Sequence, residues 1–252
     1  MGLPLEEFDP DPDAAIDPGR HRGRAELPPR AVICFFDEVV RAAVGDRPPD
    51  YRLKWEHGFH GVWALDGEGG PLTVCHPGCT APLAGANLDV LVALGCDRII
   101  ACGGAGTVAA GFDLGHPVIV TDAVRDEGTS YHYLPAGAGR TVAASPAAIA
   151  ALEETLTEAG VPYELGRTWT TDAVFRETRA KVARRRAEGC LTVEMEAAAL
   201  FAVAAFRGAT IGQLLYCGDD LSTDTWDHRG WDRDTAVRRR IFELACRACL
   251  RL

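Results

Sequence analysis

Arg98-Ile99-Ile100-Ala101-Cys102 is a short stretch with almost no polar side chain. Successive side chains on a strand point to opposite faces, so a strand this apolar has to be covered on both. Upstream, Leu72-Thr73-Val74-Cys75 reads as a second strand, ended by Pro77-Gly78. Between the two, Pro82 to Gly95 has helical spacing, with Leu83, Leu88, Leu91, Val92 and Leu94 apolar and Gly95 as its stop. Strand, helix and strand in this order predict a right-handed βαβ unit. Ala31 to Phe36 reads as a further buried strand, followed by the amphipathic run Asp37 to Val44. Pro117 to Val120 and Gly212 to Cys217 extend the sheet, while Ala144 to Gly160, Thr178 to Glu188 and the stretch from Asp234 onward read as helices. The architecture implied is α/β, a three-layer α/β/α sandwich with a mixed central sheet.

Residues 1–30, rich in Asp, Pro and Arg, read as a flexible N-terminal arm ahead of a single domain over residues 31–252. The arm lacks the apolar core of a signal peptide. No run approaches the ~20 apolar residues of a membrane span, and the cysteine usage leads to the expectation of a cytoplasmic protein. The net charge of −10 argues against a nucleic-acid partner, which needs a basic surface. Nine scattered cysteines, an odd number, fit reduced thiols better than a disulfide framework. Cys246 and Cys249 share a helix face, and Cys75-His76-Pro77-Gly78-Cys79 has no second pair at zinc spacing, so no metal is expected.

Four segments concentrate chemistry. Val193-Glu194-Met195-Glu196 runs into the alanine-rich stretch Ala197 to Ala204. If it is extended, Glu194 and Glu196 share a face; if Glu196 opens a helix, its carboxylate sits at the positive end of the dipole. Acids at such a mouth accept hydrogen bonds from a vicinal diol, and a plain acidic first turn is the bland alternative. Gly103-Gly104-Ala105-Gly106 reads as a turn whose glycines let backbone N–H groups approach an anion or a sugar. Gly104-x-Gly106-x-x-Ala109 also fits a dinucleotide fingerprint, but Gly111, Gly115 and Pro117 prevent the helix that motif needs. A turn with no ligand stays open as well. Arg125 to Tyr133 crowds charge, hydroxyl and aromatic groups together, and Tyr216-Cys217-Gly218-Asp219-Asp220 ends a strand in two acids. Read blandly, these are a capped turn and a turn-forming Asp pair.

Glu194-Met195-Glu196-Ala197-Ala198 resembles the ribose-binding signature of the purine nucleoside phosphorylase/uridine phosphorylase family, and the likeness extends from about Leu72 to the C-terminus. The resemblance implies that Met195 and Glu196 contact the sugar, Glu196 on its 2′- and 3′-hydroxyls, with Glu194 alongside. It places Gly103 and Gly104 beside sugar and phosphate, and Arg125 and His132 on a sugar-side loop. Phe175 then stacks on the base. Asp219 protonates or hydrogen-bonds N7 of a purine so that the base leaves neutral, with Arg233 or Arg238 in support. The Gln and Arg that read a pyrimidine edge are not found near Arg176 and Glu177.

The activity implied is phosphorolysis of a purine or pyrimidine nucleoside, with phosphate as co-substrate and no cofactor, in a dimer-based homo-oligomer of up to a hexamer. The phosphate elements depart from the family pattern. Ala101 and Gly104 stand where an Arg and a Ser or Thr are common, and Phe35-Phe36-Asp37-Glu38 replaces a Gly-Asp-Pro and Arg element. Phosphate ligands then fall to Arg52, Lys54, His57 or Arg125. Two other readings follow: a nucleosidase that uses water, and a non-catalytic nucleoside-binding protein on the same fold.

Overall fold

The structure is a computed structural model and describes residues 3–67 and 69–252. The strands are β1 (Arg30–Cys34), β2 (Tyr51–Trp55), β3 (Gly58–Gly67), β4 (Gly70–Cys75), β5 (Arg98–Thr107), β6 (Pro117–Asp126), β7 (Thr141–Ala143), β8 (Glu164–Thr171), β9 (Cys190–Glu194) and β10 (Thr210–Asp220). The helices are α1 (Asp37–Val44), α2 (Ala81–Ala93), α3 (Pro146–Glu158), α4 (Arg179–Ala187), α5 (Ala197–Arg207) and α6 (Thr235–Cys249). β5 is the hub. It pairs in parallel with β1 and β10 and antiparallel with β9, while β10 also pairs with β6. Because β6 pairs with β8 and β8 with β9, the strands β5, β10, β6, β8 and β9 close into a ring. From β1 the sheet runs outward through β4, β3 and β2.

The expected two-sided cover is present. Ala31, Ile33, Ile99 and Ala101 pack with Leu88 and Leu91 of α2 and Ala198 and Leu200 of α5. Their neighbours Val32, Cys34, Ile100 and Cys102 pack on the other face with α1, α3 and α6, through Val40, Leu152, Leu156, Ile241 and Ala245. Strands between two such layers have no polar face to spare, which accounts for their composition. The sheet is mixed, as expected. β4 and β5 are parallel but not adjacent, because β1 lies between them.

The glycine run differs from the expected turn. β5 does not stop at Cys102 but continues to Thr107, with Gly103 opposite Leu215 and Gly104 opposite Tyr216. Tertiary crowding explains why glycine is needed. A Cβ on Gly103 meets the Phe35 ring at 3.3 Å, one on Gly104 meets Tyr216 at 3.1 Å, and one on Gly106 meets Leu221 at 2.6 Å. The glycines serve close packing along a strand, not a reversal of the chain. The β2–β3 hairpin, absent from the sequence reading, covers one end of the sheet.

Residues before β1 lie against the domain at several points. Asp97 and Arg98 donate backbone N–H groups to Pro29, and Arg207 donates to the Pro12 carbonyl at 3.0 Å. Among the described residues no helix is long and apolar enough to cross a membrane. Every cysteine is a free thiol, and burial pushes Cys96 and Cys217 up to about 11, as suits packing rather than reactive groups.

Candidate active site

The β9–α5 junction takes parts of both readings of the acidic segment. β9 ends at Glu194, and α5 begins at Ala197 with Glu196 at its N-cap position. Glu194, not Glu196, satisfies the helix start: one of its oxygens accepts from the backbone N–H of Glu196 at 2.7 Å and of Ala197 at 2.6 Å. The other accepts from the Thr170 hydroxyl at 2.6 Å. Glu196 turns the other way. Its carboxylate takes the Thr80 N–H at 2.6 Å, presented by a backbone φ of 75° that a β-branched residue rarely adopts. Both acids are buried. Burial, and for Glu194 the adjacent Glu196 charge, pushes both above the ordinary carboxylate range, while the hydrogen bonds they accept oppose the shift.

An inner cleft of about 150 Å³ beside this junction is lined by Gly104, Ala105 and Gly106 of β5 and by Glu194 and Met195, while Glu196, expected on the sugar, lies outside the lining. Asp219, Gly218, Trp231, Val174, Glu177 and Leu221 complete it. Gly218 is fitted to its place, since a Cβ there lies 3.1 Å from the Ala105 carbonyl. The two acids ending β10 part company at an irregularity in the β5–β10 ladder. Asp220 is an anchor: it accepts from the Ser222 N–H at 2.7 Å and pairs with Arg229. Burial works against its charge, but these donors prevail and hold it below the usual range. Asp219 faces the cleft, with one oxygen held by the Trp226 indole N–H at 2.7 Å.

Glu177 was not singled out from sequence. It follows a short 3-10 turn, Val174–Arg176, and lines both the inner cleft and an adjoining outer cleft of about 450 Å³ that also includes Asp219 and Phe175. Burial, and after it the Asp219 charge, pushes Glu177 up to about 7. Trp226 and Trp231 were also missed. Their segment between β10 and α6 has no hydrophobic period to mark it as a pocket wall.

Other expected residues lie elsewhere. Phe175 sits at the outer rim and is 96% exposed, so no neighbour fixes its ring. The Arg125 guanidinium is spent internally, donating to the Ser130 hydroxyl and to the carbonyls of Ser130, Leu134, Pro135 and Gly139. It is a buried strut for the loop between β6 and β7, which corrects its expected part as a substrate or phosphate ligand. His132 is exposed and lies outside both cleft linings. Gly103 faces Phe35 and is not part of the inner lining, whereas Gly104 is. Arg52 stacks over Phe59 at 4.7 Å on the β2–β3 hairpin, and Arg238 pairs with Glu38 at 2.7 Å instead of supporting Asp219. Among the described residues no Lys, Arg or His lines the inner cleft; Arg179 borders the outer one.

Comparison with known proteins identifies the family and the fold. Residues 29–251 match the Phosphorylase superfamily. The chain is 29% identical over 169 residues to a guanosine phosphorylase of Halorubrum lacusprofundi, covering 66% of this chain and 68% of that protein. It is 30% identical over 162 residues to a uridine phosphorylase of Thermococcus kodakarensis, covering 58% of this chain and 56% of that protein. Among solved structures, uridine phosphorylase from Vibrio fischeri superposes with a TM-score of 0.73 at 23% identity, over 90% of this chain and 91% of that one. An AMP nucleosidase from Bacteroides thetaiotaomicron superposes with a TM-score of 0.70 at 21% identity, over 91% of each chain. At these identities the structural likeness speaks for the fold.

Proposed function

From the premise that this chain belongs to the Phosphorylase superfamily, we propose that it cleaves the N-glycosidic bond of a purine nucleoside. The observation carrying this reading is the cleft with acids at both ends: Glu194 beside Met195 on one side, Glu177 and Asp219 on the other. The first suits ribose, with Met195 against the sugar and Glu194 meeting its hydroxyls, and Glu196, outside the lining, would reach them from the Thr80 side. The second suits a base whose departure needs a proton or a strong hydrogen bond at N7, a demand that pyrimidines do not make.

For the nucleophile, the charge of the inner cleft favours water. Among the described residues three carboxyl side chains and no cationic one line it, whereas phosphate calls for Arg or Lys donors. Phosphorolysis is the second reading, supported by the likeness to guanosine and uridine phosphorylases.

Incubation with a panel of purine and pyrimidine nucleosides, with and without phosphate, tests all of this. Purine release in phosphate-free buffer is expected. Release only with phosphate selects the second reading, and binding without release removes both.

A further inference from the structure

The acids around the cleft differ in how their oxygens are occupied. Glu194 is bonded through both oxygens, and Glu196 is held by the Thr80 and Met195 N–H groups. Asp219 has its indole donor. Among the described residues no group donates to the Glu177 carboxylate, although it lines both clefts between Val174 and Leu221. An acid left without a protein partner, beside another carboxylate and at the mouth of a ligand-sized space, is placed to hold a proton for whatever enters.

We propose that Glu177 is the proton donor to the leaving base, and that Asp219 is the negative neighbour that keeps the proton on it. This deepens the purine-nucleoside reading and rests on it. In the step, the Glu177 proton passes to N7 while the C1′–N9 bond breaks with its electron pair on N9, so the base leaves neutral. The oxygen of water then bonds to C1′, and the proton it releases returns to the Glu177 carboxylate. With phosphate as nucleophile, its oxygen bonds to C1′ and solvent returns the proton.

The charges facing Glu177 fit the role. Asp219 on β10 favours the protonated form, and the partial burial of Glu177 does so more strongly. Lys181 on α4 opposes them weakly, being committed to Asp126 at 3.1 Å. Arg179, also on α4, donates to the Thr223 carbonyl at 2.8 Å, and Glu194 lies across the inner cleft. Because Glu177 must be protonated to act, activity should be full below its folded pKa and fall as pH rises through about 7.

The test uses two substrates. Inosine needs protonation at N7, whereas 7-methylguanosine already has a positive charge on its leaving base. For Glu177→Gln, kcat/KM on inosine should drop roughly 10²–10⁴-fold and lose its alkaline limb, the range for a missing general acid. On 7-methylguanosine the loss should be below about tenfold. Glu177→Asp should recover part of the inosine rate, and matching thermal unfolding confirms that the variants are folded. Equal losses on both substrates, or an alkaline limb that survives in Glu177→Gln, overturn the assignment while leaving nucleoside cleavage standing. A wild-type protein that cleaves neither substrate overturns both.

Discussion

The two ends of the cleft hold acids of the same chemical type in opposite circumstances. At the β9–α5 junction, Glu194 and Glu196 are enclosed and bound by donors from β8, the α5 start and the β4–α2 loop. Across the cleft, Asp219 has an indole donor, and Glu177 has none among the described residues. Burial raises Glu177, Glu194 and Glu196, yet of these three Glu177 alone has its oxygens free for a ligand among the described residues. In the proposed reading the first region doubles as architecture, since Glu194 would meet ribose and also holds a helix start in place. The second would move a proton, through an acid that anchors no other group among the described residues.

The sharpest way to break that contrast is to truncate one acid at each end and measure stability. Glu194→Ala leaves the Thr170 hydroxyl and two backbone N–H groups without their acceptor. Relief of a buried charge offsets part of this, and a net loss of roughly 2–4 kcal/mol is expected by urea denaturation. Glu177→Ala should cost no stability at pH 7, because the side chain has no specific partner among the described residues and its removal relieves a carboxyl that burial holds above its ordinary pKa. Comparable losses at the two ends would erase the distinction.

Asp219→Asn sharpens the same contrast through catalysis. The amide keeps the shape but removes the negative charge facing Glu177, one of the causes of its raised pKa. Glu177 should then lose its proton at lower pH, because its folded pKa falls toward the ordinary value while burial still holds it up. The alkaline limb of kcat/KM on inosine should move to lower pH, and activity at pH 7 should drop by up to about tenfold, since burial is the larger cause of the raised pKa and remains. An unmoved limb would mean that Asp219 does not govern the Glu177 proton.

The contrast also marks what the sequence could and could not reveal. β1, α1, β5 and α6 were legible because their burial follows local periods, alternate faces on strands and one stripe on helices. The β2–β3 hairpin was not, since in Tyr51-Arg52-Leu53-Lys54-Trp55 only Leu53 is buried. The glycines of β5 were misread as a turn because the cause of their presence, Phe35, Tyr216 and Leu221, comes from distant segments. At the site, Glu194-Met195-Glu196 was readable as a motif and Asp219 as a strand end. Arg125 was misplaced because its partners are mostly backbone carbonyls, which no side-chain pattern announces. Glu177 carries no local signal of its role, because the charge beside it, Asp219, comes from β10, more than forty residues along the chain.

Glu196→Gln probes the sugar end with a smaller expected effect. The substitution keeps an oxygen for the Thr80 N–H but removes the charge, and charge-assisted hydrogen bonds are worth about 1.5–3 kcal/mol. Loss of kcat/KM on a ribonucleoside should be about tenfold, with a lesser loss on its 2′-deoxy analogue. Equal losses on the two would show that Glu196 acts by supporting the Thr80 loop and not by meeting the 2′-hydroxyl.

Phe175 gives the mildest test, and its logic is that of the base end carried to the rim. A ring that is 96% exposed contributes almost nothing to packing, so Phe175→Ala should leave the unfolding midpoint unchanged. If the ring closes over a bound base, it gains an aromatic contact worth about 0.5–1.5 kcal/mol only in the complex. That gain is shared by ground state and transition state, so its loss should raise KM some two- to tenfold and leave kcat nearly constant. A fall in kcat without a rise in KM would place Phe175 in the chemical step. No change in either would leave it a surface residue, with the base held by Trp231 and the acids alone.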